Sequence, residues 1–315
     1  MLRYFVGRIL ILIPTLLIVL FVTFLLGYLG PVDPVMIMAR DNAARGIYFT
    51  PEQIADLRHQ YGLDRPFLSQ FGTYLNNLLH GSFGYSYRDA APVLPRIIAA
   101  LPVSGSLALG AMVILVVLGI PLGILAARFH NTLVDYLIVG GSLFLNAVPV
   151  YVLVPVSLIV FVLWLDLMTV PRGWKGVFHP HFVLAAALLS LRTLAVVIRQ
   201  TRAGMLDVLA NDYVRTARAK GLHEIRVMTR HVLRNSLIPV VTQLGLMVDD
   251  FMWGAVFIDL AFNLPGLGRL FEQGLSSRDF NFIYGVVIFT ALLTMIINLL
   301  IDLLYPLLDP RVMYD

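Results

Sequence analysis

Cysteine is absent from this 315-residue chain, which excludes disulfides, thiolate metal sites and a cysteine nucleophile together. Charge is scarce as well. Asp, Glu, Lys and Arg make up only 13% of the residues, against roughly 25% in soluble domains. There is no G-x-x-x-x-G-K-[ST] motif and no Gly-Lys dipeptide, so the chain lacks the loop that would cradle the phosphates of ATP.

What is abundant is apolar: 59% of the residues are hydrophobic and the mean hydropathy is +0.83. A helix crossing a bilayer needs roughly 20 mainly apolar residues to span a hydrocarbon core of about 30 Å. Runs at 9–32, 97–127, 136–165 and 280–301 meet that length, the last continuing past Asp302 to Leu308. Two further spans contain charge, 181–198 with Arg192 and 235–258 with Asp249 and Asp250. The expectation is an all-α polytopic membrane protein with six transmembrane helices. The first run is too long for a cleaved secretion signal and no small-x-small site follows it, so it reads as a retained anchor.

Orientation follows from the basic residues. An even number of spans puts both termini on one side with Arg3, Arg8 and Arg311, and residues 199–234 join them with eight Lys or Arg against three acids. That side reads as the cytoplasm. Residues 30–96, where six basic residues meet six acids, then lie outside. There Thr50 and Gln53 have capping-box spacing with Pro51 at the first helical position, and Gly62 ends the helix. Phe67, Phe71, Tyr74, Leu75 and Leu78 form an apolar stripe on a second helix. The predicted organisation is an anchor helix over 1–30, a small helical extracytoplasmic insert over 31–96 and a five-helix membrane domain over 97–315, with a loop at 199–235 between the fourth and fifth spans.

That loop holds the most polar stretch of the chain, "NDYVRTARAKGLHEIRVMTRHVLRNSL", with six Lys or Arg and two His. Asp212 is placed to cap a short helix that Gly221 stops about two turns later. Arg226, Arg230 and Arg234 recur every four residues and make one basic stripe on a second helix. Charge alone leaves open a cytosolic loop resting on anionic headgroups.

The residue pattern adds more. "DYVRTARAKGL…RHVLRNSLIPVVT" resembles the cytoplasmic loop of ABC-importer permeases, in the dipeptide/oligopeptide/nickel branch, and specifically its first-permease subunit. Of the general Glu-Ala-Ala and Gly motif, the second Ala and the Gly stand here as Ala217 and Gly221. "PVDPVMIMAR", "YGLDRPFLSQFGTYLNNLLHGSFGYS", "GIPLGILAA", "NLPGLGRL" and "NLLIDLLYPLLDPR" are similar to other blocks of the family in the same order. The resemblance implies a non-catalytic permease in the inner membrane of a prokaryote, pairing with a second, homologous permease in an importer for di- or oligopeptides. It implies two ABC ATPase subunits as partners, which bind ATP and Mg, and an extracytoplasmic substrate-binding protein. No cofactor in this chain and no nucleic acid is implied. Nickel chelates or another small solute remain alternative cargoes. A secondary transporter or ion channel is the alternative class, disfavoured because neither the insert nor the basic loop has a repeated counterpart. Asp212, Tyr213, Arg215, Thr216, Ala217, Arg218, Ala219, Lys220 and Gly221 would form the coupling helix that docks on an ATPase, with Arg215, Arg218 and Lys220 pairing its carboxylates.

Charge inside the membrane is a functional hypothesis in its own right. Arg192, Asp249 and Asp250 lie near the middle of consecutive spans, either as a structural pair that sets helix packing or with one Asp facing the pathway. His179 and His181 read as interfacial rather than as metal ligands. Ser104 and Ser106 have no His and Asp companions for a protease.

Overall fold

A computed structural model describes residues 2–30, 33–43, 46–237, 239–241, 243–245, 247, 251 and 255–308. Among these the regular structure is helical, and the single β-type pairing is an isolated antiparallel bridge between Tyr85 and Pro92. Two compact units emerge, one of Met1–Pro102 with Gly266–Ile296 and one of Val103–Pro265 with Ile297–Asp315.

In the first unit, helix α1 (Leu2–Tyr28) is followed by α2 (Pro34–Ala43), α3 (Pro51–Gln60) and α4 (Phe67–Leu79). The predicted capping box is present: the Gln53 N–H donates to Thr50 Oγ1 at 3.3 Å, and the Thr50 N–H donates to Gln53 Oε1 at 2.9 Å. The aromatic stripe of α4 lies against α1, with Phe67, Phe71 and Tyr74 in ring contact with Phe21, Phe24 and Tyr28. The insert thus shares its apolar face with the end of the first apolar helix. Nearby, buried Asp279 caps the start of a long helix by accepting from the Phe282 N–H at 3.1 Å, and it also accepts from Ser86 Oγ at 2.6 Å.

The second unit is built around one central helix. Helix α5 (Val93–Ile114) passes through a π-turn, Leu115–Gly119, into α6 (Ile120–Arg128); α7 (Leu133–Ala147) and α8 (Val150–Leu158) follow, then α9 (Pro180–Leu209). Alanine, leucine, valine and isoleucine bury most of α9 against α5, α6 and α7, in a core that includes Leu107, Leu115, Phe182, Val197, Ile198, Ile258 and Phe262. The short α10 (Asp212–Ala219) comes next. Helical turns at α11 (Glu224–Arg226), a π-segment Val227–Leu233 and α12 (Arg234–Ser236) carry on from it. Helix α13 (Val256–Ala261) belongs to this unit, whereas α14 (Leu267–Ser277) and α15 (Phe280–Leu308) as far as Ile296 belong to the first.

Among the described residues four helices are long and apolar enough to cross a bilayer, and α7 with α8 forms a fifth, bent candidate. The predicted fifth span, 235–258, falls largely outside the described residues. Two expectations need correction. The run 136–165 was expected to form one uninterrupted helix, but the chain turns by 98° between α7 and α8, so the run stands as a bent candidate span. Pro149 forces this, because its ring pushes the preceding Val148 out of helical geometry, to φ −82° and ψ 122°. The fourth span was expected to end at Ile198, whereas α9 continues for three more turns to Leu209, since nothing in "RQTRAGMLDVL" breaks a helix. On α1, α5 and α7 the exposed surface is rich in apolar side chains, as at Leu10, Ile18, Leu109, Leu137 and Phe144, which is the surface a hydrocarbon solvent demands.

Candidate functional site: a short helix seated at the end of the central helix

Helix α9 ends at Leu209, and only Ala210 and Asn211 separate it from α10. The N-cap is Asn211, in extended geometry with φ −74° and ψ 146°. Asp212 was expected in that role, but it is the first helical residue, where its charge complements the helix dipole. Its carbonyl accepts from Thr216 Oγ1 at 2.9 Å.

The far end of α10 closes by a defined hydrogen-bond pattern. The Gly221 N–H donates to the Arg218 carbonyl at 2.9 Å and the Leu222 N–H to the Ala217 carbonyl at 3.4 Å, the paired bonds of a Schellman ending. Gly221 adopts φ +75°, a left-handed conformation that costs other residues about 1 kcal/mol. No atom lies within 4 Å of where its Cβ would stand. The glycine is required by the backbone here, not by a close neighbour.

Val214 and Ala217, three residues apart, are the two buried residues of α10. They join Ala127 of α6, Met205 of α9, Val227 and Val232 in one apolar cluster. Leu222, just beyond the glycine turn, packs against the same cluster. Ala217 was expected among the residues of the docking helix, whereas its side chain faces this chain's own core. The exposed face carries Asp212, Tyr213, Arg215, Thr216, Arg218, Ala219 and Lys220.

Two polar links brace the seat. Arg218 donates from Nε and Nη2 to the two carboxylate oxygens of Glu224, at 3.1 and 2.7 Å, and so bridges the glycine turn. Arg218 is therefore engaged across the turn, whereas Arg215 makes only a looser, exposed ion pair with Asp212 at 3.7 Å and Lys220 is exposed beside it. Its guanidinium holds the Glu224 carboxyl below its ordinary value, against a smaller opposing effect of burial. A carboxyl lowered in this way is stabilising above its ordinary value, and the contribution is lost as pH falls through the lowered one. The link is thus in place at neutral pH and released only in acid. On the other side, Asn235 Nδ2 donates to Tyr213 Oη at 2.9 Å.

The base of the seat is clamped in turn. Arg202 of α9 donates from Nε and Nη2 to both carboxylate oxygens of buried Asp135, each at 2.7 Å. The Asn131 N–H adds a third bond at 3.0 Å. Such paired, charge-assisted bonds fix direction as well as position, so the start of α7 and the end of α9 form one piece. Sequence reasoning missed Asp135, Arg202 and Glu224. Asp135 left its trace as a lone acid at the start of an apolar run, while Arg202 and Glu224 stood among the many charges of residues 199–234.

Arg192 lies on α9, and its carbonyl accepts from Asn146 Nδ2 at 2.9 Å. Asn146 is at the break between α7 and α8. From residue 192 onwards α9 buries Thr193, Leu194, Ala195, Val197, Ile198, Thr201 and Met205 and exposes Arg192, Arg199, Ala203 and, two residues before its end, Asp207. At about 100° per residue these four positions fall within roughly 80° of one another, on one stripe. Among the described residues no acid pairs Arg192. Asp249 and Asp250 lie outside the described residues, and so does any pairing through them.

This architecture has close relatives. The sequence model of the binding-protein-dependent transport system inner membrane components matches residues 119–314. The chain belongs to that family. The family's N-terminal component matches residues 1–108, so the membership covers the insert and the central unit alike. This inner-membrane component is 34% identical over 316 residues to the oligopeptide transport system permease protein OppB of Salmonella typhimurium, covering 100% of both chains. It is 35% identical over 342 residues to the dipeptide transport system permease protein DppB of Escherichia coli K12, covering 100% of this chain and 99% of that one. The component is accordingly a multi-pass membrane subunit of a transport system, and its role is transport rather than catalysis.

Proposed function

We propose that this component is one of two homologous permeases of an ATP-driven importer for peptides, which an extracytoplasmic binding protein delivers. It crosses the inner membrane of a prokaryote six times, with both termini and α10 in the cytoplasm. Two ABC ATPase subunits bind ATP and Mg and supply the energy. Peptide is the cargo named for both OppB and DppB.

The observation that carries this reading is the seat of α10. A free two-turn helix would be marginal in water, yet this one is held by Val214 and Ala217 on one side and presents polar residues on the other. In this mechanism the outer face, through Tyr213, Arg215, Thr216, Ala219 and Lys220, docks in a groove of one ATPase, and Asp212 and Gly221 set the two ends of the docking helix. When the ATPases close on ATP, α10 moves with its groove. The two-residue elbow at Ala210 and Asn211 passes the displacement to α9 as a rigid body. The Asp135–Arg202 clamp makes α7 follow. The pathway opens alternately to the two sides as these helices move against the second permease.

The test is reconstitution of the chain with its second permease, ATPases and binding protein in liposomes, followed by uptake of radiolabelled peptide with and without ATP. Uptake that requires ATP and falls at least tenfold in Arg215→Glu, with the complex's melting temperature unchanged, is the expected result. Wild-type uptake by Arg215→Glu would remove the docking role of the exposed face.

A further inference from the structure

We infer that the exposed stripe of α9 headed by Arg192 is this subunit's face on the translocation pathway, and that Arg192 receives the carboxylate of the passing peptide. The inference rests on the importer reading above and assigns a substrate contact within it.

Arg192 lies twelve residues into α9, about 18 Å along the helix at 1.5 Å per residue, close to the middle of a hydrocarbon core of about 30 Å. A guanidinium at that depth is not left against lipid tails; it faces a water-filled space or a partner. Every other side of this stretch of α9 is occupied by its own core, through Thr193, Leu194, Ala195, Val197, Ile198 and Thr201. Among the described residues, the stripe bearing Arg192 is thus the one direction left open. Arg199 repeats the charge about two turns further on and is likewise exposed, so the stripe is cationic over more than one depth. The lipid-facing helices are different in kind, since their exposed residues, such as Leu109 on α5, are apolar.

The surroundings fit a transit site. Span three is broken beside Arg192, where Asn146 ties the end of α7 to the Arg192 carbonyl. Broken helices at mid-membrane are where transporters place their substrate contacts. A guanidinium offers a planar pair of donors matched to a carboxylate, and every unmodified peptide ends in one. The position on α9 also ties the site to the motor, because the helix that bears Arg192 is the helix that α10 moves.

The absence of cysteine makes a direct experiment available. In the complete reconstituted importer, Arg192→Cys and Leu109→Cys are compared for labelling by a membrane-impermeant, sulfonate-bearing methanethiosulfonate. In parallel, uptake of trialanine and of trialanine amide, each presented on saturated binding protein, is measured for wild type and Arg192→Gln. The expected results are labelling of residue 192 at least tenfold faster than residue 109, and a roughly tenfold fall in the ratio of free-acid to amide uptake, the loss of one charge-assisted contact. An amidated peptide with one glutamate resolves the source of the carboxylate: restored dependence on Arg192 shows that a side chain serves as well as the terminus. Labelling of residue 192 no faster than of residue 109 would overturn the inference, and so would equal losses for acid and amide, which mark a structural pair with the second permease. A wild-type complex that hydrolyses ATP but takes up neither peptide would instead refute the peptide-importer reading, and the carboxylate assignment with it.

Discussion

Gly123 shows how a single residue sets the spacing of the central unit. A Cβ there would stand 2.5 Å from Thr201 Cβ and 2.8 Å from the Ile198 carbonyl oxygen, so α6 lies directly on α9 with no room for a methyl group. Gly123→Ala should lower stability by about 1–3 kcal/mol, the usual result of overpacking. Thermal unfolding in detergent would show it, and an unchanged melting temperature would contradict the close approach. Asp135→Asn should be destabilising too, by about 2 kcal/mol, the scale of bonds made to a charged group. The same assay in a double variant with Arg202→Gln would show less than additive loss, as expected for partners in one network. Local chemistry of this kind was partly legible in the sequence. The Thr50–Gln53 box and the stop at Gly221 need only their own neighbours, and both stand as read. The inward direction of Ala217 depends on where α6 and α9 lie, which no local spacing encodes, and the engagement of Arg218 by Glu224 depends on the path the chain takes through the turn at Gly221.

At the scale of elements, α10 divides into two faces with different jobs, and substitutions should separate them. Val214→Asp places a carboxylate in an apolar cluster, where an unpaired charge is costly. It should both lower the melting temperature and abolish ATP-dependent uptake. Arg215→Glu, one residue on, should affect uptake alone. Ala217→Arg belongs with Val214→Asp because of its burial, so loss of transport in that variant would not isolate docking. Gly221→Ala should cost about 1 kcal/mol through its backbone conformation, with uptake reduced less than in Val214→Asp. A melting curve beside each uptake measurement distinguishes the classes, and equal stability of Val214→Asp and wild type would refute the seat. The same scale explains the unforeseen break in the third run. A run without charge is long enough to cross a membrane whether or not its helix is continuous, and the break resides in one proline at position 149.

For the whole molecule, composition alone placed the chain in a bilayer, because 59% hydrophobic residues leave no soluble alternative. The approximate positions of the long apolar helices followed from run length. What the pattern could not supply is which face of a span meets lipid and which meets protein, since both environments select the same apolar side chains. Among the described residues Arg192 broke that symmetry, and its exposure with Arg199 on the mostly buried α9 gave the direction. The central claim is mechanical: a polar helix face outside the membrane and a cationic stripe within it are two ends of one 30-residue lever. The most direct measurement is site-specific photo-crosslinking in the assembled importer, with a benzophenone amino acid at positions 214, 215 or 219. The account predicts ATPase adducts from 215 and 219 that change in yield when ATP is trapped, and none from 214. Adducts from 214, or an ATPase-bound complex in which 215 and 219 give none, would contradict it.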